Sequence, residues 1–233
     1  MSSKTCIVTG VGPGNGLSLA RRFAAGGYRV AMLARSAEKL RDFGREIPGS
    51  RTYPADVADA GAVRDAFARI RADLGPAEVL LHNAGSGAFG PFDQVTLELL
   101  ELSWRINTYG LLACAREVLP DMLVAGHGVI VVTGATASWR GGAGTAAFAS
   151  AKAAQRSLAQ SMAKSLGPRG IHVAYVIVDG VIDMPVTRGF LGDKPDDFFL
   201  KPDAIADTVY HVAHQDRSAW TFEVDLRPFG EKW

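Results

Sequence analysis

Short, almost uninterrupted apolar segments alternate with longer segments of helical periodicity along this chain. The seven apolar segments are Thr5–Thr9, Arg29–Leu33, Thr52–Ala55, Val79–His82, Val129–Thr133, His172–Val178 and Thr221–Leu226. Strands without polar alternation are typical of a parallel sheet that is buried on both faces. The intervening segments are predicted as helices: Leu17–Ala25, Ala37–Glu46, Ala60–Asp73, Leu97–Val124, Ala146–Leu166 and Asp203–His214. This order predicts a doubly wound parallel α/β sheet with helices on both faces.

The composition excludes several other classes of protein. The chain has 233 residues, 48% of them hydrophobic and 21% charged, which is typical of a globular protein, and we expect one domain over residues 1–233. Its formal charge of +1 argues against nucleic acid as the main partner. Neither a signal peptide nor an apolar run of membrane-spanning length is visible, so we expect a cytoplasmic protein. Cys6 and Cys114 lie in apolar segments, and no metal site is predicted.

Glycine is concentrated in the turn between the first strand and the first helix. The turn contains Gly10, Gly12, Pro13, Gly14, Asn15 and Gly16. Glycines there allow the backbone to approach a ligand closely, and the start of a helix offers N–H groups and a positive dipole end to a diphosphate. The turn therefore predicts a dinucleotide site, although this motif alone also fits a turn that binds no phosphate.

Several motifs together resemble the short-chain dehydrogenase/reductase family. They are the glycine spacing of Thr9–Gly16, the Asn83-Ala84-Gly85 sequence after the fourth strand, Asn107 on the next helix, and Lys152 near the start of an alanine-rich helix. The resemblance implies a Rossmann-like domain that binds NAD or NADP and transfers a hydride to or from a small organic substrate. It also implies cofactor contacts by Asp56, Val57 and Ile182, and a homodimer or homotetramer.

The end of the second strand bears on which cofactor binds. Dinucleotide folds that bind NAD place an acidic residue there, against the ribose 2′-hydroxyl. This chain has Ala34 followed by Arg35, and a guanidinium can bind a phosphate through two hydrogen bonds. We therefore predict NADP, with NAD as the alternative if Arg35 is only a solvated residue or stacks on the adenine.

The predicted catalytic set departs from the family pattern at two positions. The family uses Tyr-x-x-x-Lys with a serine thirteen residues before the tyrosine, whereas this chain has Phe148 before Lys152 and Ala135 at the serine position. Lys152 and Asn107 are retained, and Phe148 and Lys152 share one helix face. A phenyl ring cannot exchange a proton, and loss of a positioned general acid typically lowers the rate by about 10²- to 10⁴-fold.

Asp179, before Gly180 at the end of the sixth strand, is the candidate substitute for the missing proton donor. A carboxylate at that end of a parallel sheet would lie in the binding crevice, but Asp179 also fits an ordinary turn residue. Three hydroxyl residues are expected to orient a substrate at most: Thr136, Ser138 and Thr145. Three further polar residues are expected to be structural: His82, His172 and Tyr175.

Two further regions have predicted roles. Residues 183–202 are predicted as one long irregular loop that acts as a substrate lid, carrying Phe190, Phe198 and Phe199. The segment from Trp220 to Trp233 is expected at a sheet edge and at a subunit interface. The sequence thus predicts an oxidoreductase with unusual proton handling, and the alternative is a catalytically silent NADP(H)-binding sensor or scaffold.

Overall fold

A computed structural model of the chain describes residues 4–230 and confirms all seven predicted sheet strands. The central strands are β1 (Thr5–Thr9), β2 (Arg29–Ala34), β3 (Arg51–Pro54), β4 (Ala77–His82), β5 (Gly128–Ala135), β6 (Ile171–Val178) and β9 (Glu223–Leu226). A separate pair is formed by β7 (Val181–Ile182) and β8 (Phe199–Leu200). That pair is not among the strands predicted from the sequence.

The seven strands form one parallel sheet in the order β3-β2-β1-β4-β5-β6-β9. The chain starts in the middle, at β1, and crosses over from β3 to β4 on the other side of it. The carboxyl ends of β1 and β4 therefore diverge into a crevice, which is where doubly wound sheets bind ligands. As predicted, β9 lies at an edge of the sheet, whereas Trp233 lies outside the described residues.

Helices cover both faces of the sheet, and this confirms the doubly wound fold. They are α1 (Asn15–Ala25), α2 (Ala37–Glu46), α3 (Ala60–Leu74), α4 (Leu97–Trp104), α5 (Gly110–Ala125), α6 (Ala146–Leu166), α7 (Pro185–Phe190) and α8 (Pro202–Ala213). One core lies under α3, α5 and α6, and the other lies under α1, α2 and α8. Every residue of β6 is buried, because β6 is covered on both faces.

The predicted helix over Leu97–Val124 is interrupted by a π-helical turn. The turn spans Arg105–Tyr109 and contains Asn107. The side-chain amide of Asn107 donates to the Ser103 carbonyl over 2.9 Å, and in an α-helix that carbonyl accepts from the backbone N–H of Asn107. A side-chain bond of this kind shifts the backbone ladder locally, which hydrophobic periodicity does not reveal.

The prediction of one long irregular loop over residues 183–202 is wrong. The segment contains α7 and β8, and an ion-pair cluster ties its two ends together. Arg188 contacts Asp183 over 2.7 Å and Asp196 over 2.7 Å, and Lys201 contacts Asp183 over 2.7 Å. The hydrogen bonds from Arg188 hold the pKa of Asp183 well below its usual range. These side-chain pairings, between residues 5 to 18 positions apart, order the segment, and local propensity does not predict them.

Within residues 4–230, none of the helices has the length and apolar character needed to cross a membrane.

Candidate active site

Two glycines of the turn after β1, Gly10 and Gly16, are packed too tightly for larger residues. Gly10 has a φ of +71°, and a Cβ at this position would lie 2.4 Å from the Cα of Ala84. A Cβ at Gly16 would lie 2.6 Å from the carbonyl oxygen of Gly10. Among residues 4–230, no side chain caps the start of α1, so the positive dipole end of this helix is left uncompensated.

Two asparagines connect the turn after β1 to the turn after β4. Asn83 donates to the Gly10 carbonyl over 2.9 Å, and Asn15 donates to the Asn83 side-chain oxygen over 2.6 Å. The side-chain oxygen of Asn15 is buried and has no hydrogen-bond partner within the described part of the chain. This link fixes the two sides of the crevice relative to each other.

A cleft of about 470 Å³ opens beside these turns, at the carboxyl ends of β1, β2, β3 and β4. Its predicted residues are Gly10, Arg35, Asp56, Val57, Ala84 and Gly85. Arg35 is exposed, and its side chain has no hydrogen bond or ion pair with any residue between 4 and 230. Asp56 accepts a hydrogen bond from the backbone N–H of Ala58 over 2.9 Å. The structure thus brings together predicted residues from four separate loops.

Lys152 lies on α6 and is 5% exposed. Its ammonium donates to the Thr133 carbonyl over 2.9 Å and to the side-chain oxygen of Gln155 over 3.0 Å. A Cβ at Gly85 would lie 3.6 Å from this nitrogen, so the ammonium is next to the turn that follows β4. Burial lowers the pKa of Lys152 to about 7.

Asn107 links the π-helical turn to the same region. Its side-chain nitrogen donates to the Ser86 carbonyl over 3.2 Å, and its backbone carbonyl accepts from Gln155 over 2.6 Å. A Cβ at Gly85 would be 3.2 Å from the Asn107 side-chain oxygen. Asn107 and Lys152 therefore flank one short stretch of backbone after β4.

A second cleft, of about 310 Å³, lies between the ends of β5 and β6 and the start of α6. Ala135 and Phe148 both line it, together with Thr136 and Thr145. The Phe148 ring packs against Phe89 with 5.4 Å between ring centroids, and the Lys152 ammonium lies 6.0 Å from the centre of the Phe148 ring. The two positions where the family pattern has a serine and a tyrosine therefore face one space.

Asp179 lies at the end of β6 and is held by two partners. Thr136 donates to one oxygen over 2.5 Å, and Arg227 lies 3.7 Å from the other. The backbone N–H of Asp179 also donates to the Leu226 carbonyl over 2.7 Å. These contacts fix the carboxylate beside the second cleft, and its role as a proton donor stays a prediction.

The three polar residues expected to be structural are buried in the strands. His82 is fully buried, its Nδ1 lies 3.1 Å from the Thr9 hydroxyl, and burial lowers its pKa to about 3, helped by the charge of Lys152. His172 stacks on Trp220 with 4.8 Å between ring centroids. Tyr175 contacts Gln155, with 3.2 Å between its hydroxyl and the Gln155 side-chain oxygen.

Two residues of this site are not among those predicted from the sequence. Gln155 is three positions after Lys152 and thus on the same helix face, which is a signal that spacing could have supplied. Met184 packs over the glycine-rich turn, where a Cβ on Gly14 would lie 2.4 Å from its Cγ. Ile182, a predicted cofactor residue, lies on β7, two positions before Met184. Met184 could not be found from sequence because its contact is long-range.

Comparison with known proteins identifies the group to which this architecture belongs. The sequence model of the family described as short chain dehydrogenase matches residues 4–191. The chain therefore belongs to the short-chain dehydrogenase family of oxidoreductases, and the resemblance inferred from its motifs is confirmed.

Three similar proteins illustrate the relationship. The 2-(R)-hydroxypropyl-CoM dehydrogenase of Xanthobacter autotrophicus is 35% identical over 202 residues, covering 83% of this chain and 80% of that protein. A solved short-chain dehydrogenase from Rhodopseudomonas palustris is 36% identical, with a TM-score of 0.83 and coverage of 97% and 99% of the two chains. A metagenomic short-chain oxidoreductase, solved in complex with NADP, is 28% identical, with a TM-score of 0.84 and coverage of 97% and 98%.

Proposed function

We propose that this protein is an NADP-dependent oxidoreductase that transfers a hydride to or from a small organic substrate without a tyrosine as proton donor. The observation that carries the proposal is the position of Lys152, which is buried next to Gly85 of the first cleft and 6.0 Å from the Phe148 ring of the second. The metagenomic relative, whose solved complex contains NADP, supports the choice of cofactor.

The residues of the first cleft fit a dinucleotide. The uncapped start of α1 suits a diphosphate. A side chain at Gly16 would clash with the Gly10 carbonyl, so this part of the turn consists of backbone alone. Gly12 has open space around it, which leaves room for a ligand on that side. Asp56 and Val57 would hold the adenine end, and Lys152 would hold the ribose next to the nicotinamide.

Arg35 favours NADP over NAD. The preceding residue, Ala34, provides no carboxylate to repel a 2′-phosphate or to accept a bond from a 2′-hydroxyl. The Arg35 side chain is exposed beside the cleft and uncommitted to any partner in the described residues, so a phosphate can recruit it at little cost.

The second cleft would receive the substrate. A bound nicotinamide supplies or accepts the hydride in this family's chemistry. The walls at Ala135 and Phe148 provide no proton, so the substrate oxygen exchanges its proton with water or with Asp179 beside Thr136. This arrangement suits substrates whose product anion is already stabilised, because such an anion needs no strong acid at the moment of hydride transfer.

A turnover assay tests the proposal. NADPH is incubated with the purified protein and a panel of carbonyl and enone compounds, and oxidation of the cofactor is followed by absorbance, with Lys152→Met as the matched control. Turnover that Lys152→Met abolishes supports the proposal, and Asp179→Asn then distinguishes the carboxylate from water as the proton source. Tight NADPH binding without turnover on any compound would instead support the second candidate function.

That second candidate is a silent NADP(H)-binding sensor or scaffold. It is favoured by one observation: both positions that would carry the hydroxyl groups of the family's catalytic set, Ala135 and Phe148, are without oxygen.

We also infer that the chain self-associates through the edge strand β9 and the residues after it, where Phe229 is 88% exposed. Light scattering of the purified protein tests the oligomeric state, and a monomer would contradict it.

A further inference from the structure

Gln155 occupies a fully buried position directly behind Lys152. Its side-chain oxygen accepts from the Lys152 ammonium over 3.0 Å and from the Tyr175 hydroxyl over 3.2 Å. Its side-chain nitrogen donates to the Asn107 carbonyl over 2.6 Å. One amide therefore connects α6, β6 and the π-helical turn, and three of its four hydrogen-bonding sites are used.

Tyr175 reaches Gln155 only because Gly134 has no side chain. A Cβ on Gly134 would lie 2.2 Å from the Tyr175 ring, so the ring fills the space that any other residue would occupy. Tyr175 is fully buried, and burial raises its pKa well above the usual range. Its hydroxyl therefore acts as a fixed neutral donor to Gln155 and does not reach either cleft.

In the part of the chain that the structure describes, the groups that contact the Lys152 ammonium carry no negative charge. Its two acceptors are the neutral oxygens of Thr133 and Gln155, and it forms no ion pair with any residue from 4 to 230. The titratable groups that face it are His82 on β4 and Tyr175 on β6, both held neutral by burial. Behind Tyr175, Arg156 and Glu223 form a bidentate ion pair with each other, with distances of 2.5 and 3.0 Å.

We propose that Gln155 and Tyr175 are positioning residues that fix the Lys152 ammonium next to the turn after β4 through neutral acceptors alone. This proposal rests on the proposed function, because it assigns to Lys152 the contact with the cofactor ribose. The alternative is that Gln155 and Tyr175 only satisfy each other's polar groups in the core. A structural role would change stability, whereas a positioning role would also change how Lys152 titrates and how its ligand binds.

The variants Gln155→Glu and Tyr175→Phe test the proposal in the full-length protein. Isotope-labelled lysine lets NMR follow the titration of Lys152, whose signal is assigned by its loss in Lys152→Met. Gln155→Glu places a carboxylate against the ammonium and should raise its titration midpoint by at least about one pH unit. Tyr175→Phe removes a donor that competes for the same Gln155 oxygen, and it should raise the midpoint by a smaller amount.

Thr108→Val is the matched control. Thr108 is buried beside Asn107 and donates to the Ala151 carbonyl over 2.8 Å, so this change removes a buried hydrogen bond that does not involve Lys152. The control should leave the Lys152 midpoint unchanged. An equal shift in the control, or the same midpoint in wild type and Gln155→Glu, would overturn the proposal.

Binding of NADPH provides the second readout and separates the two proposals. Gln155→Leu removes the acceptor, so the ammonium is free to move, and NADPH binding should weaken about tenfold at neutral pH. Unchanged NADPH affinity in a folded Gln155→Leu protein would overturn the positioning role. If the midpoints shift as expected but wild-type protein binds no NADPH, the anchoring of Lys152 stands and the proposed function fails.

Discussion

The two clefts on either side of Lys152 differ sharply in what their residues can do. The first cleft, at β1 to β4, combines an uncapped helix end, an asparagine link and an exposed arginine. The second cleft, at β5 and β6, presents Ala135 and Phe148 where the family pattern has two hydroxyl groups. In the proposed function, binding of a nucleotide and exchange of a proton are therefore assigned to separate sets of residues.

Lys152 is buried next to residues of both clefts, Gly85 of the first and Phe148 of the second. On one side its ammonium is held by Thr133 and Gln155, and on the other it faces the Phe148 ring at 6.0 Å. The polar contacts of Lys152 with Thr133 and Gln155, here called the anchor, therefore lie next to the apolar wall of the second cleft, formed by Ala135 and Phe148. We therefore expect changes to the anchor to alter NADPH binding and changes to the wall to alter the rate of carbonyl reduction.

Restoring the two missing hydroxyl groups should have the largest effect. In Phe148→Tyr with Ala135→Ser, a proton donor returns to a cleft whose lysine is already in place, so carbonyl reduction should rise by about 10²- to 10⁴-fold. Steady-state rates with NADPH measure it, and each single substitution is the control. A loss of activity in the double variant would show that Phe148 itself belongs to the natural mechanism.

Gly10→Ala should abolish NADPH binding and destabilise the fold. The new Cβ would meet the Ala84 backbone at 2.4 Å in a backbone conformation with φ of +71°, and we expect a loss of about 2–4 kcal/mol in unfolding free energy. Denaturant unfolding and cofactor titration measure the two effects. Gly12→Ala is the matched control, because its Cβ meets no atom within 4 Å and should leave stability nearly unchanged.

Lys152→Met should remove a pH dependence of stability. Since the folded-state pKa of Lys152 is lowered to about 7 from 10.5, the unfolded chain binds more protons between these values, and stability rises with pH across that window. The slope is at most about 1.4 kcal/mol per pH unit. Unfolding of cofactor-free wild type and Lys152→Met between pH 7 and 10 measures it, and parallel curves would contradict the burial of the charge.

His82→Asn should weaken the pH dependence of stability in the acidic range. We expect a smaller effect than that of Lys152→Met, because only part of this range is accessible. The folded-state pKa of His82 is lowered to about 3, so its stabilising contribution is complete above pH 6.5 and is lost as the pH falls toward 3. Chemical unfolding at several pH values from 7 down to 4 should show a shallower loss in His82→Asn than in wild type. An identical loss in the two proteins would mean that His82 is accessible to protons.

The fold could be predicted almost completely because seven apolar segments and their spacing encode it. The π-helical turn at Asn107, the helix within residues 183–202 and the β7–β8 pair could not, since each depends on hydrogen bonds or ion pairs that local patterns do not show. In the site, the motifs located Lys152 and the glycine turn. The fit of Tyr175 into the space at Gly134 joins residues from two strands, which only the folded chain brings together.

The central claim is that the first cleft binds NADPH although Ala135 and Phe148 replace the two catalytic hydroxyl residues of the family pattern. The most direct test is a titration of wild type and Arg35→Gln with NADPH and NADH, followed by energy transfer from the four tryptophans. The account predicts that wild type binds NADPH more tightly than NADH and that Arg35→Gln loses most of this preference, about tenfold in affinity. If wild type binds neither cofactor, the account is contradicted.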